Sequence, residues 1–277
     1  MRSPVRLVAA LLLASAPAAA AEPALRFERN GELLRELGLG KLRAACPEST
    51  VEVGEDPYYL RSKRFSALPL SCVLREGLGG PPSAEANVFL RARDGYVKPA
   101  SGARLAEPGG WLAFADADRR SGNDPGWEPI DRRQVDPAPF YLVWTGSDQN
   151  DPHRYPWPYQ LAAIELAPFE SRFPLTRPST AEPGSPAWDG FAVFRSECIA
   201  CHAINGQGGR VGPELNVPRS IVEYRPAEQI KAYIRDPSSF RYTSMPSHKH
   251  LNDAQLDALV AYFEAMKHAK HDPGAGP

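Results

Sequence analysis

Two cysteines and a histidine form a motif whose residue types and spacing specify a chemistry. Cys198 and Cys201 are separated by two residues and His202 follows directly, which gives the pattern C-x-x-C-H. Thiols three positions apart on one helical turn point to the same side, so both can reach the two vinyl groups on one edge of a porphyrin. The adjacent imidazole is then carried under the ring, where it can bind the iron. The pattern is typical of covalent attachment of one c-type haem.

Two other kinds of site also use C-x-x-C, namely redox dithiols and zinc knuckles. A redox dithiol should follow a strand in a βαβ unit, and a zinc knuckle needs two further ligands at short spacing. Neither feature is visible in the sequence. The histidine after the second cysteine therefore favours haem.

Helical signals surround the motif and must position it. Ser185 can cap a helix that has Pro186 at its first position. Asn252 with Gln255 forms a capping-box pattern at the start of a last helix. That helix carries one apolar stripe, made by Leu256, Leu259, Val260, Phe263 and Met266.

The segment from about 185 to 270 resembles the class I cytochrome c family. In that family the first and last helices cross closely, through a glycine and several aromatic residues. Gly190 and Phe194 fit the first helix, and Tyr262 with Phe263 fits the last. The resemblance implies an all-α cytochrome c domain at residues 187–270.

The stretch 209–215, Gly-Arg-Val-Gly-Pro-Glu-Leu, is similar to the loop that follows the haem-binding helix in this family. There the proline carbonyl accepts a hydrogen bond from the proximal histidine ring. The resemblance implies that Pro213 fixes the His202 tautomer in this way.

The second axial ligand of the iron is sought among three methionines. Met1 belongs to the leader, and Met266 lies on the apolar stripe of the last helix. Met245 precedes a proline in a loop, which matches the distal-ligand pattern of the family, so the sequence predicts Met245 as distal ligand. The alternative is that Met245 fills a core, leaving the iron open or bound by His248 or His250, two residues that are otherwise expected to be exposed.

The first residues have the features of a secretory signal. Basic residues, a short apolar stretch and an Ala-Ala-Ala site occupy residues 1–21. The apolar run is too short to span a bilayer, and no later segment reaches the ~20 residues needed. Export to the periplasm and a mature chain without a membrane span are predicted. The net charge of −1, from 32 basic and 33 acidic residues, argues against nucleic acid as a partner.

Cys46 and Cys72 are the two cysteines outside the haem motif. In an oxidising compartment they can form a disulfide, or they can both be buried free thiols. The sequence leaves both alternatives open.

Short extended runs interrupted by glycine and proline fill the chain from Leu25 to about Arg172. Helices are predicted at Glu32–Leu39 and Leu68–Arg75. Apolar, β-branched and aromatic residues predict five strands, around Val51–Val53, Asn87–Arg91, Trp111–Phe114, Phe140–Trp144 and Tyr159–Leu166. An α+β domain at residues 22–170 follows, with a strand-rich core.

This domain contains several short framework motifs. They are Asp56-Pro57-Tyr58, Lys63-Arg64-Phe65, Leu68-Pro69-Leu70, Val73-Leu74, Asp94-Gly95-Tyr96, Trp157-Pro158-Tyr159-Gln160 and Ile164-Glu165-Leu166. Together they resemble the molybdopterin-binding fold of the sulfite oxidase type. That family binds molybdenum through a cysteine in a longer Gly-, Asn- and Arg-bearing loop, which is missing around Cys72. We expect a cofactor-free domain of this fold, used for docking, substrate binding or assembly.

Two polar stretches of this domain have competing interpretations. The loop 148–159 can be an electron-entry surface, or a small metal site that uses His153 with Asp151. Alternatively, it is a proline-stiffened loop in which His153 is an ordinary surface residue, and this second interpretation is favoured. Asp116 belongs to a mixed charge cluster that is expected to be a solvated loop.

The remaining segments connect and end the chain. Residues 171–186 include four prolines and predict a semi-rigid linker. Residues 271–277 predict a flexible tail.

These patterns predict a periplasmic carrier that passes single electrons between redox partner proteins through a His202/Met245-ligated haem, with the first domain docking a partner. One alternative is a sulfite-dehydrogenase-like enzyme whose first domain oxidises a small substrate and reduces the haem. Another is a sensor or assembly factor with a labile distal ligand.

Overall fold

The computed structural model describes residues 22–272, so the predicted signal peptide at residues 1–21 lies outside the described residues. A strand-rich part comes first and a helical part follows, as the α+β assignment predicts. Within residues 22–272, no helix combines the length and the apolar character that crossing a membrane requires.

The strand-rich part is built from two sheets. In chain order, its strands are β1 Ala24–Arg29, β2 Glu32–Gly38, β3 Ser49–Asp56, β4 Arg61–Pro69, β5 Asn87–Ala92, β6 Val97–Ser101, β7 Gly110–Asp116, β8 Tyr141–Trp144 and β9 Leu161–Leu166. One sheet has the order β2-β1-β9-β5-β6, in which only β1 and β9 run parallel. The other is an antiparallel sheet of order β3-β4-β7-β8.

The helices of the described chain are short, except for the last. They are α1 Leu39–Ala45, α2 Leu70–Leu78, α3 Gly102–Ala106, α4 Phe169–Arg172, α5 Pro186–Val193, α6 Ala227–Arg235 and α7 Asp253–Lys267. Helix α5 continues as a π-helical turn at Phe194–Cys198. A minimal hairpin, β10 Ala203–Ile204 with β11 Gln207–Gly208, follows the haem motif.

The helix predicted at Glu32–Leu39 is wrong, because residues 32–38 form the edge strand β2. A two-residue turn at Asn30 and Gly31, both at positive φ, folds β2 back on β1. Asn-Gly is the strongest short sequence signal for such a hairpin, and the pairing that it starts overrides the helical propensity of Glu and Leu. The five predicted strands all overlap observed ones, and the second predicted helix corresponds to α2.

Cys46 and Cys72 form a disulfide, with an S–S distance of 2.09 Å and a Cα–Cα distance of 5.8 Å. The bond ties the end of α1 to α2. Both cysteines are buried among the large apolar side chains between the two sheets. Of the two alternatives for this pair, the structure has the disulfide.

Asp116 is not solvated, contrary to the expectation for its charge cluster. It is fully buried at the end of β7, and its Oδ2 lies 2.5 Å from Nζ of Lys63, which is 3% exposed. Lys63 Nζ also lies 2.9 Å from Glu128 Oε2. The other carboxylate oxygen of Asp116 accepts the backbone N–H of Asp118 at 3.1 Å. A buried charge needs such partners, because it has no water to solvate it.

Of the two buried hydrophobic clusters, one contains side chains from both parts of the chain. Side chains of the first part, such as Phe89 and Val97, belong to the same buried cluster as Phe194 and Tyr262 of the helical part. The segment 171–186, predicted as a linker, lies along α7, where the Thr176 carbonyl accepts the Tyr262 hydroxyl at 2.6 Å. The helical part is therefore packed against the sheets.

Replacing Asp116 with Asn should destabilise the first part by about 3–5 kcal/mol, since it leaves a buried ammonium group with one acidic partner fewer. Urea unfolding followed by tryptophan fluorescence measures this, because four of the five tryptophans precede residue 170. Asp118→Asn is the matched control: Asp118 pairs with Arg64 at 2.8 Å on the exposed surface, and the loss should be only about 0–1 kcal/mol. Equal losses in the two variants would contradict the assignment.

Candidate functional site

A close crossing of α5 and α7 positions the haem motif. A Cβ atom at Gly190 would lie 1.9 Å from the Ala258 carbonyl oxygen and 2.8 Å from Cβ of Tyr262, so only glycine fits there. Beside the glycine, the ring of Phe194 lies 5.3 Å from that of Tyr262 and 6.4 Å from that of Phe263. The glycine and aromatic residues that the sequence singled out thus meet at one crossing.

Helix α7 begins with the predicted capping box. The Asn252 side chain accepts the Gln255 backbone N–H at 2.9 Å, and the Gln255 side chain accepts the Asn252 N–H at 3.0 Å. Two backbone donors that the helix leaves unpaired are satisfied in this way. The register of α7, and with it the apolar stripe, is fixed at its first turn.

The first turn of the motif is not α-helical. The Ile199 N–H donates to the Phe194 carbonyl at 2.9 Å, five residues back, and the His202 N–H then donates to the Cys198 carbonyl at 2.9 Å. Such π-turns occur often at functional sites. Cys198, at the end of this turn, and Cys201 are both half-buried free thiols.

Burial raises the pKa of both thiols, to about 12 for Cys198 and to about 11 for Cys201. The Glu197 carboxylate adds to the shift at Cys198. A redox dithiol needs a thiol pKa below the ordinary value, so this environment argues against that interpretation.

The His202 ring is held in one tautomer. Its Nδ1–H donates to the Pro213 carbonyl at 2.9 Å, which leaves Nε2 with a free lone pair. Burial lowers the pKa of the imidazole, which favours the neutral form that binds metals. The Pro213 carbonyl is therefore the group that fixes the orientation of the His202 ring.

Glycines let the following loop close over the motif. A Cβ atom at Gly212 would lie 2.5 Å from Cε1 of the His202 ring, and one at Gly209 would lie 2.0 Å from the Ala200 carbonyl oxygen. The Gly212 N–H donates to the Cys201 carbonyl at 2.8 Å. The loop can be so close only because these residues have no side chains.

Residues of the first part also contact the motif, which sequence reasoning missed. At the start of β6, the Val97 N–H donates to the Ala200 carbonyl at 2.9 Å. One turn earlier, the Gly95 carbonyl accepts the Arg210 N–H at 2.9 Å. The motif Asp94-Gly95 marked a turn in the sequence, but nothing there indicated that the turn faces the haem segment.

Met245 lies in the loop before α7. Its side chain is half-buried against the core of the helical part, and its N–H donates to the Thr243 hydroxyl at 3.1 Å. Met266 is fully buried on α7, as its place in the stripe predicts. His250 is exposed as expected, whereas His248 is buried, at 5% exposure, because the loop folds its ring inward.

The donor set fits a c-type haem. Two free thiols are spaced for thioether bonds, and a neutral imidazole has its Nε2 free. A thioether is present in the neighbouring loop. Each atom type is one that this cofactor takes from proteins.

The model of the cytochrome c family matches residues 187–267, and the C-terminal part of the chain is a cytochrome c domain. Two curated relatives are similar over shorter stretches. Cytochrome c oxidase subunit 2 of Alkalihalophilus pseudofirmus is 30% identical over 118 residues, which is 39% of this chain and 34% of the relative. The protein of the same name from Bacillus sp. strain PS3 is 30% identical over 98 residues, 29% of this chain and 26% of the relative.

This chain therefore spans about a third or less of the length of those relatives. The family match leaves the strand-rich part outside it. The domain match implies haem c binding by residues 187–267.

Gly190→Ala should destabilise the cytochrome c domain by about 1–3 kcal/mol, because the added methyl group meets a backbone carbonyl that α7 holds in place. In a helix without this close contact, alanine in place of glycine would raise the stability by about 0.5–1 kcal/mol. A loss of stability in Gly190→Ala therefore indicates the steric contact with α7. Thermal unfolding followed by haem absorbance measures it. Gly54→Ala is the control, since a Cβ atom there has no neighbour within 4 Å; a Gly190→Ala protein as stable as this control would rule out the close crossing.

Proposed function

We propose that the protein is a periplasmic electron carrier with one covalently bound haem c. Cys198 and Cys201 would form the thioether bonds, and His202 and Met245 would hold the iron. The observation that supports this best is the hydrogen bond from His202 Nδ1 to the Pro213 carbonyl, at 2.9 Å. It engages Nδ1, so that Nε2 is left as the metal-binding nitrogen of the motif histidine, and it fixes the orientation of the ring.

When bound, the haem supplies a one-electron couple, and a thioether ligand raises its potential relative to a second imidazole. The residues of the chain keep the site constant between the two oxidation states. Pro213 orients the imidazole, and the α5–α7 crossing and the glycine loop hold the attachment segment. If His202 and Met245 both hold the iron, substrate would have no place on it, which favours electron transfer over catalysis at the haem.

The strand-rich part serves as a docking domain for a redox partner protein in this proposal. Its contact with the haem segment through Val97 and Gly95 supports the idea, because a protein bound to this part is brought close to the haem. A sulfite-oxidase-like fold is the prediction for this part. Its Cys72 sulfur is bonded to Cys46 and is not free for molybdenum, so the residues do not fit that cofactor.

Export by the signal at residues 1–21 completes the proposal, since haem c is attached outside the bacterial cytoplasm. The relatives are named as subunits of an oxidase. We infer from this only the class of partner, a redox protein that gives or takes single electrons.

Met245→Ala should remove the weak sulfur-to-iron absorption band in the far red, and let the reduced haem bind carbon monoxide that the wild type resists. The reason is that, within residues 22–272, the other methionine is Met266, which is buried on α7. Optical spectra of the purified protein in both oxidation states measure this. Met266→Leu is the matched control, because a buried methionine can be replaced by leucine at similar volume; persistence of the band in Met245→Ala would refute the ligand assignment.

Elemental analysis of the exported protein should show iron without molybdenum. The reason is that Cys72, whose position resembles that of a molybdenum ligand, is bonded to Cys46 in a disulfide. The measurement is made on protein produced in medium supplied with molybdate, with a molybdenum enzyme from the same cells as positive control. Stoichiometric molybdenum would instead favour the sulfite-dehydrogenase-like alternative.

A further inference from the structure

Three histidines and one glutamate converge where the two parts of the chain meet. We call His153, Glu197, His248 and His250 the His/Glu cluster. Each offers one ligand atom, and the four atoms lie within 4.8 Å of one another. The electron-transfer proposal assigns no role to any of them.

The distances centre on one carboxylate oxygen. Glu197 Oε2 lies 3.1 Å from His153 Nδ1, 3.2 Å from His250 Nε2 and 3.7 Å from His248 Nδ1. The last distance is too long for a hydrogen bond. His248 Nδ1 has no hydrogen-bond partner, and the side chain is only 6% exposed, so water does not replace the missing partner. A buried nitrogen without a partner, facing a carboxylate and two imidazoles, points to a missing ligand.

The cluster is supported by ordered backbone. His153 lies in a turn in which its N–H donates to the Asp151 side chain at 2.9 Å. The His248 N–H donates to the Ile234 carbonyl at 3.2 Å, at the end of α6. Glu197 is in the π-helical turn directly before Cys198. Three separate segments are therefore fixed around one point.

We propose that the His/Glu cluster binds a divalent transition-metal ion of the zinc class. Imidazole nitrogens select such ions over magnesium and calcium, which take oxygen ligands. At zinc–nitrogen distances of about 2.0–2.1 Å, tetrahedral ligand atoms lie about 3.3 Å apart. The three distances from Glu197 Oε2, 3.1 to 3.7 Å, are close to this value, and the widest separation in the cluster, at most 4.8 Å, closes when the exposed His153 and His250 side chains rotate toward the ion. Four protein ligands leave no open position, which is the arrangement of a structural site.

The ion acts as a clamp. It joins the first part, through His153, to the haem-attachment turn, through Glu197, and to the loop that carries Met245, through His248 and His250. The sequence offered His153 with Asp151 as a metal-site alternative. The structure keeps His153 in that role but uses Asp151 to hold its backbone, and it supplies Glu197 and two histidines from distant positions instead.

The test uses the haem-loaded, full-length protein, freed of other metals with a chelator and then titrated with zinc chloride in a calorimeter. The wild type should bind one zinc ion per haem iron, and magnesium chloride should give no binding. His153→Gln and His250→Gln should each weaken zinc binding by at least about 100-fold, because even outer partners of a metal site contribute about 10–100-fold. Both side chains are substantially exposed, at 35% and 42%, so neither change should prevent folding.

His268→Gln is the matched control, since this histidine is exposed at the end of α7 and outside the cluster. It should bind zinc as the wild type does. Zinc should also raise the unfolding midpoint of the wild type and of the control, but not that of His153→Gln, because only an ion that bridges the two parts stabilises the folded state through His153. Absence of stoichiometric zinc, or equal affinity in wild type and His153→Gln, would overturn the proposal. Binding without a rise in midpoint would overturn the clamp. These outcomes do not depend on whether the haem carries electrons.

Discussion

A close approach of two helices governs the position of the haem motif. Gly190 lets α5 meet α7 at the Ala258 carbonyl, and the π-turn at Phe194–Cys198 continues directly from α5. The direction in which the motif leaves that crossing therefore depends on how closely the helices pack. A wider separation would move Phe194 off Tyr262 and Phe263, and would shift Cys198 with it. Packing at a single glycine thus determines the position of chemistry eight residues away.

The strand-rich part is integrated with the site and is not merely connected to it. Its β6 edge supplies the Val97 N–H to the carbonyl of Ala200, inside the C-x-x-C-H motif. Phe89 and Phe173 enter the same buried cluster as the aromatic residues of α5 and α7. A domain that shared no core would move relative to the haem, and its distance to a docked partner would vary. The shared core instead holds the haem segment at one distance from the sheets.

The sequence predicted local features much better than distant ones. The capping box of α7 and the apolar stripe depend on spacings of a few residues. The capping box is present, and four of the five predicted stripe residues are buried, whereas Val260 is only half-buried. The sequence analysis predicts a helix where β2 lies, because the extended conformation of β2 depends on its pairing with β1. The Asn30-Gly31 turn is a sequence signal from which this hairpin could be predicted. The burial of Asp116 and His248 could not be predicted, because burial depends on what folds over a residue. The partner of Asp116, Lys63, is 53 positions away in the chain. Glu197 has no local feature that marks it, since its histidine partners are 44 to 53 residues away.

The four cysteines divide into two pairs with opposite chemistry, and the structure separates them. Cys46 and Cys72 are closed in a disulfide between the sheets, whereas Cys198 and Cys201 are free thiols in the helical part. Thioether formation on a porphyrin requires reduced sulfur, so a cross-pairing with Cys46 or Cys72 would prevent haem attachment. Cys46 and Cys72 instead lie in the core cluster of the strand-rich part, whereas Cys198 packs against the cluster that contains the α5 and α7 side chains. Pairing within the first part thus leaves Cys198 and Cys201 free for the haem attachment that we propose.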